Sequence, residues 1–375
     1  MSQMIDFTLP SCVPGRTLHA FRCVPEGEVR AILQLSHGMV EFIDRYKPLA
    51  EYLAARGILV TGHDHLGHGG SIRTKADYGY FAQPDGNRAV LDDLHAVTAL
   101  TKQLYPGVPY FLLGHSMGSF YARQYLCEWG DELDGAIIMG TGFQPKALVA
   151  TARALCRVLA VFFGWEHRSK LVANLSFLGY NRGLEGRTPQ DWLNRDQAEV
   201  DKYRADERCM FTFTLNAYYS MFTGILRLYD PAVLAGVPKD LPLLFLAGDA
   251  DPVGERFRVI VPIGGKDAVS VAEFPAYVSG LPSFQGKGDG GGLGAFGLYS
   301  FRPGTSASPC RMMSARPFSC RSMRSKPETR RSRRVEPVPS PAMKSTAGTM
   351  DAMASWLCVP VSSLPGAVEG AGCRR

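Results

Sequence analysis

Hydrophobic positions follow two alternating periods over the first two thirds of this chain, and neither period continues beyond. Apolar runs of strand length occupy residues 29–35, 58–61, 110–113, 136–139 and 241–246, and stretches of helical spacing lie between several of them. Tyr46, Leu49, Ala50 and Leu53 share one face of a helix predicted over residues 41–56, which stops at Gly57. Val90, Leu91, Leu94, Val97, Leu100 and Leu104 form a second apolar stripe. Residues 7–9 and 18–21 predict an opening antiparallel pair. Strands that alternate with helices in this way predict an α/β fold, a mostly parallel sheet with helices on both faces. From residue 141 to about 238 the strand pattern gives way to amphipathic segments, in the place of an inserted helical cap that gates access to a site.

The candidate chemistry sits between the strand at 110–113 and a helix predicted over residues 118–133. Gly114-His115-Ser116-Met117-Gly118 places a serine on a tight turn from strand to helix. The two glycines allow the backbones to come close where a Cβ would clash. Ser116 Oγ then projects above the sheet at the positive end of the helix, and the Met117 N–H is free to stabilise an oxyanion.

Composition narrows the classes. At 375 residues with 46% hydrophobic content the chain can bury a large core, and the expectation is one domain with an insertion. The net charge of +6 misleads: residues 255–375 hold 17 Lys+Arg against 8 Asp+Glu, which leaves the preceding part at −3. A nucleic-acid partner is not expected on a body without basic surplus. No apolar run is long enough to span a membrane, and residues 1–13 lack a signal-peptide pattern, so the expected address is cytoplasmic. Nine cysteines without paired spacing suit reduced thiols.

Four segments together resemble a known family. Residues 36–41 (Ser-His-Gly-Met-Val-Glu), residues 64–71 (Asp-His-Leu-Gly-His-Gly-Gly-Ser), the Ser116 turn, and residues 248–254 (Gly-Asp-Ala-Asp-Pro-Val-Gly) are similar to the α/β-hydrolases of the monoacylglycerol lipase and lysophospholipase group, often described as serine aminopeptidase S33-like. The resemblance implies an α/β-hydrolase fold over 1–142 and 239–254, with the helical cap at 143–238. It implies Ser116 as nucleophile, Met39 and Met117 as backbone oxyanion donors, and Asp251 as the acid that orients a histidine. His37, Gly38, Gly114 and Gly118 support these motifs. Asp249 also follows the last strand, and its alternative role is a loop cap. The implied substrate is a small lipid-like ester. No cofactor or metal is expected, and membrane contact is limited to a transient meeting with the surface. Oligomeric state stays open.

The triad histidine is the missing part, since no histidine follows His167. His19 and His95 lie on an early strand and a helix, and the His115 side chain is expected to leave the turn in another direction. His167 belongs to the cap. His63, His65 and His68 cluster on the oxyanion side of the nucleophile, where hydrogen bonding within the loop is their expected role. Their spacing admits a zinc reading, although Gly67 stands where a metallo-hydrolase motif needs Asp. Residues 255–375 instead read as a low-complexity basic tail, with the family's last strand, histidine loop and closing helix missing or replaced. The segment Gly254-Glu255-Arg256-Phe257-Arg258 allows codons from which loss of one G gives Gly-Asn-Asp-Phe-Gly, a family-like continuation, so a shift of reading frame at Gly254 is one account. An artefact of gene prediction or a genuine disordered extension are the others. A strand at 241–246 without its neighbour is expected to leave an open edge and poor solubility. Two functions remain: a serine ester hydrolase, impaired as written, and a non-catalytic protein of the same fold that binds a small apolar ligand.

Overall fold

The computed structural model describes residues 2–142, 144–184, 186–194, 196–248 and 251–253, and the backbone of three short strands beyond them. The strands are β1 (Gln3–Pro10), β2 (Thr17–Val24), β3 (Ala31–Ser36), β4 (Ile58–His63), β5 (Tyr110–His115), β6 (Gly135–Met139) and β7 (Leu243–Gly248). β1 and β2 form the antiparallel opening pair and β2 joins β4 antiparallel, whereas β4, β3, β5, β6 and β7 run parallel to one another. The expected α/β architecture is therefore observed.

Both faces of the parallel strands are buried, which is why their sequences read as continuous apolar runs. Leu33, Val60, Phe111, Leu113 and Ile137 pack on one side with Ile43 and Leu53. Ile32, Leu59, Leu112, Ala136 and Ile138 pack on the other with Leu94, Val97 and Tyr125. The helices are α1 (Lys47–Ala54), α2 (Gly86–Leu104), α3 (Met117–Trp129), α4 (Lys146–Phe163), α5 (Lys170–Ser176), α6 (Gln197–Ala205), α7 (Leu215–Arg227) and α8 (Pro231–Leu234), and the last five all fall between β6 and β7. The first helix is shorter than its apolar spacing predicts. A 3-10 turn covers Ile43–Tyr46, and α1 begins only at Lys47, with Pro48 in its first turn where a missing N–H costs no hydrogen bond.

The open edge expected at β7 is not there. After β8 (Ile260–Val261) and β9 (Val269–Ser270), which form a ribbon of their own, β10 (Phe296–Phe301) pairs antiparallel with β7 from Phe296↔Gly248 to Phe301↔Leu243. An extended backbone satisfies an edge in either direction, so the ladder closes without the family's sequence. The remainder of the expected tail lies outside the described residues.

Under the loop that follows β3 lies a packed group of imidazoles. His37, His63, His65 and His68 are fully buried, with ring centroids 4.3 Å apart for His37 and His65 and 5.2 Å for His63 and His65. Burial drives all four toward the neutral form: His63 and His68 fall to about 3, and His65 lies well below its ordinary value. Such groups take up protons in the unfolded chain first, so their stabilisation is complete above about pH 6.5 and is lost below it, each by up to about 1.4 kcal/mol per pH unit. The lowered carboxyls of Asp64 and Glu41 act in the same direction at lower pH. His19 and His115 are raised and lose their contribution as pH rises above 6.5, outside this window. Urea midpoints are expected to fall steeply from about pH 6.5 to about pH 5, with a shallower slope in His63→Leu, because the two His63 ring nitrogens have no hydrogen-bond partner among the described residues. A midpoint unchanged over that range would contradict the account.

Candidate active site

Ser116 occupies the turn between β5 and α3 with φ 51° and ψ −117°, a conformation that non-glycine residues rarely adopt. The surroundings hold it there. Its N–H donates to the Met139 carbonyl at 2.9 Å, and its own carbonyl accepts from the Ser119 N–H at 2.9 Å and the Ser119 hydroxyl at 2.5 Å. A Cβ at Gly118 would overlap the Ser36 carbonyl, and one at Gly114 would press on the Gly118 carbonyl and Ala122. The glycines thus let α3 approach the end of β3, and the Met117 N–H stands in the first helical turn, where no intrahelical acceptor exists.

The loop after β3 comes within contact of this serine: a Cβ on Gly38 would lie 3.3 Å from Ser116 Cβ. Its peptide groups are held one after another. The Gly38 N–H donates to Glu41 Oε1 at 2.5 Å, and the Gly38 carbonyl accepts from His37 Nδ1 at 2.8 Å. The Val40 N–H reaches His68 Nε2 at 3.3 Å, and the Val40 carbonyl accepts from the Tyr203 hydroxyl at 2.7 Å. Val40 itself has φ 56°. Between these anchored groups the Met39 N–H has no partner among the described residues.

Glu41 was legible only as part of a motif, yet it joins three segments. Besides Gly38, its carboxylate accepts from Arg45 Nη1 at 2.9 Å, the Tyr46 hydroxyl at 3.0 Å and His115 Nδ1 at 2.9 Å. Burial alone would raise this carboxyl, but His115 and Arg45 hold it far below the usual range. His115 is likewise opposed by burial and raised by Glu41 and, more weakly, by Asp251. The spacing of Glu41 three residues after Gly38 was the available signal. Its inward turn was not readable from helical periodicity.

Asp251 is partly buried, and its Oδ1 accepts the Val253 N–H at 2.9 Å. Its Oδ2 and the His115 ring converge on Gly140, where a Cβ would lie 3.5 Å from Asp251 Oδ2 and 3.6 Å from His115 Cδ2. Asp249 lies outside the described residues. The other histidines have their own engagements: His19 pairs with Asp64, His95 stacks on Trp129 beside Glu132, and His167 stacks on Phe163. In the buried cluster, His65 Nε2 bonds Ser36 Oγ at 3.2 Å and His37 Nε2 accepts the His65 N–H at 3.0 Å. Donor atoms converge as a metal would require only at Asp6, His19 and Asp44 among the described residues, and there the Lys47 ammonium lies 2.8 Å from Asp6 and 3.0 Å from Asp44.

The chain is similar to known proteins in sequence and in fold. Monoglyceride lipases from mouse and human are 33% and 30% identical to the chain over 238 residues, covering 60% of it and 67% of each relative. A thermostable carboxyl esterase from Bacillus coagulans, solved with glycerol, superimposes with a TM-score of 0.61 at 25% identity, over 68% of this chain and 83% of that one. The model of the serine aminopeptidase S33 family matches residues 27–258, a span that runs from the start of β3 through the Ser116 turn to just past Asp251. By that match the chain belongs to the serine aminopeptidase S33 family of α/β-hydrolases.

Proposed function

We propose that this chain is built to cleave carboxylic esters of lipid-like substrates, monoacylglycerols or lysophospholipids, through an acyl-enzyme. Ser116 is the nucleophile, the N–H groups of Met39 and Met117 form the oxyanion hole, and Asp251 is the triad acid. The observation that carries this reading is the Ser116 backbone at φ 51°, a strain of about 1–3 kcal/mol that close packing sustains at a residue with no other evident need of it. The helices from α4 to α8 serve as the cap over residues 143–238. The five described cysteines are free thiols, which supports a cytoplasmic address.

A second reading rests on the histidines: His115, whose ring converges with Asp251 on Gly140, is hydrogen-bonded through Nδ1 to Glu41, and no histidine follows His167 in the sequence. Without its base a serine hydrolase loses on the order of 10⁶ in kcat, and what remains is a fold that binds an apolar ligand. A fluorophosphonate probe separates the two. Labelling that disappears in Ser116→Ala supports the hydrolase and requires a base from some part of the chain, whereas a cooperatively folded chain that takes no label supports the binding protein. We attribute the missing histidine to a reading-frame change at Gly254, and sequencing the gene across that codon is expected to reveal one base too many.

We further propose that the outer face of the cap meets a membrane surface. No described helix is long and apolar enough to cross one. Val161 (79% exposed), Phe162 (75%) and Leu178 (77%) are nevertheless exposed, as are Val158 on α4 and Leu171 and Leu175 on α5. Residues 146–184 carry six cations, Lys146, Arg153, Arg157, Arg168, Lys170 and Arg182, against Glu166 alone. Exposed apolar side chains on a segment with a surplus of cations complement an anionic lipid surface. Sedimentation with phosphatidylglycerol-containing vesicles should exceed that with pure phosphatidylcholine, and Val161→Asp with Phe162→Asp should weaken it by about tenfold. Equal sedimentation of the double variant would remove this surface from consideration.

A further inference from the structure

Among its contacts with the core, the cap reaches the loop that carries the Met39 N–H, and there one hydroxyl makes a hydrogen bond. Tyr203 lies on α6, whose remaining residues are largely exposed apart from Val200. Its hydroxyl donates to the Val40 carbonyl at 2.7 Å across 163 residues of sequence. The Arg45 guanidinium stands over the Tyr203 ring at 5.0 Å while bonding Glu41, and Arg208, just after α6, stands over the Phe42 ring at 3.7 Å. Three contacts from one short part of the cap therefore fall on residues 40–45.

Val40 is where such contacts have most effect. A β-branched residue at φ 56° relaxes toward the extended region unless both flanking peptide groups are held. The preceding one is held from the core, through the His68 imidazole on the Val40 N–H. The following one is held from the cap, through Tyr203. Releasing either frees the rotation that aims the peptide groups of residues 38–40.

We propose that Tyr203 is a positioning residue that couples the cap to the oxyanion loop: with α6 in place its hydroxyl keeps Val40 strained and the Met39 N–H directed at the site, and displacement of α6 lets the loop relax. Access by substrate and assembly of the oxyanion hole thereby become one event, because the element that moves aside also carries the clamp. This coupling rests on Met39 as an oxyanion donor, the reading proposed above.

Tyr203→Phe removes the hydroxyl and keeps the ring beneath Arg45. Amide hydrogen exchange at residues 38–42 is expected to accelerate about three- to tenfold, the effect of one lost hydrogen bond, while exchange in β5 and the thermal midpoint stay unchanged. Where the chain turns over a short-chain nitrophenyl ester, kcat should fall by a similar factor with KM unaltered. Unchanged exchange at 38–42 overturns the coupling whatever the turnover. Faster exchange in a chain that neither turns over nor takes the fluorophosphonate probe leaves the coupling standing and removes only the hydrolase reading. Tyr203→Trp, which cannot donate to the same carbonyl at the same reach, should behave as the Phe variant. Its retention of wild-type exchange would assign the loop's rigidity to ring packing instead and overturn the role of the hydroxyl.

Discussion

A buried carboxylate holds this site together. Glu41 sits under the loop after β3 and receives hydrogen bonds from the Gly38 backbone, from Arg45 and Tyr46 at the entry to α1, and from His115 beside the nucleophile. An isolated charge at that depth would cost several kcal/mol, and four donors offset the cost only if all of them are in place. The dependence is mutual, since the loop, the helix entry and the nucleophile turn are each oriented by an anion none of them could bury alone. That mutual dependence explains why the helix starts late: residues 41–46 are committed to the carboxylate and its partners, and regular helix becomes possible only from Lys47.

The parts of the fold that obey local rules could be read from the chain. Largely apolar runs marked β3 to β7 because those strands are buried on both faces, and the glycines at 114 and 118 marked the turn because only they permit α3 to touch the end of β3. The parts that depend on distant partners could not. Glu41, Tyr46 and His115 meet across more than sixty residues of sequence, and helical periodicity placed Tyr46 on a helix face when its hydroxyl belongs to the carboxylate. Tyr203 carries no pattern that separates it from any half-exposed residue of an amphipathic segment. The edge of β7 shows the same limit from the other side, because a backbone ladder needs no sequence signature and β10 supplies it antiparallel, where the family resemblance led to the expectation of a gap.

Strain is distributed unevenly in the molecule, and its distribution follows the chemistry. The two non-glycine residues at positive φ among the described residues, Val40 and Ser116, lie on the two loops that meet at Gly38. Each is held on both sides of its Cα: Ser116 by the Met139 carbonyl and the Ser119 donors, Val40 by His68 and Tyr203. A single hydrogen bond is worth too little net free energy to sustain such a conformation, whereas a pair acting on adjacent peptide groups leaves no rotation that relieves one without breaking the other. The buried imidazoles belong to the same economy of contacts, since His68 and His37 keep the neutral form that lets one nitrogen accept while the other donates.

The two proposed functions share this structural basis and divide at one point along the chain. On the proposed reading, everything that would polarise an ester carbonyl, the Met39 and Met117 amides and the helix end behind Ser116, comes from residues before β6, where the loop after β3 meets the Ser116 turn at Gly38. What would move the serine proton comes, in an α/β-hydrolase, from the segment after the acid loop, and there the match to the family ends at residue 258. Electrostatic stabilisation and proton transfer are separable contributions to catalysis, so a chain that keeps the first without the second still orients an ester at Ser116 but holds it without turning it over. The strained loops therefore argue for the chemistry of the site, and on the proposed reading its proton acceptor is the one part for which the sequence offers no histidine after His167.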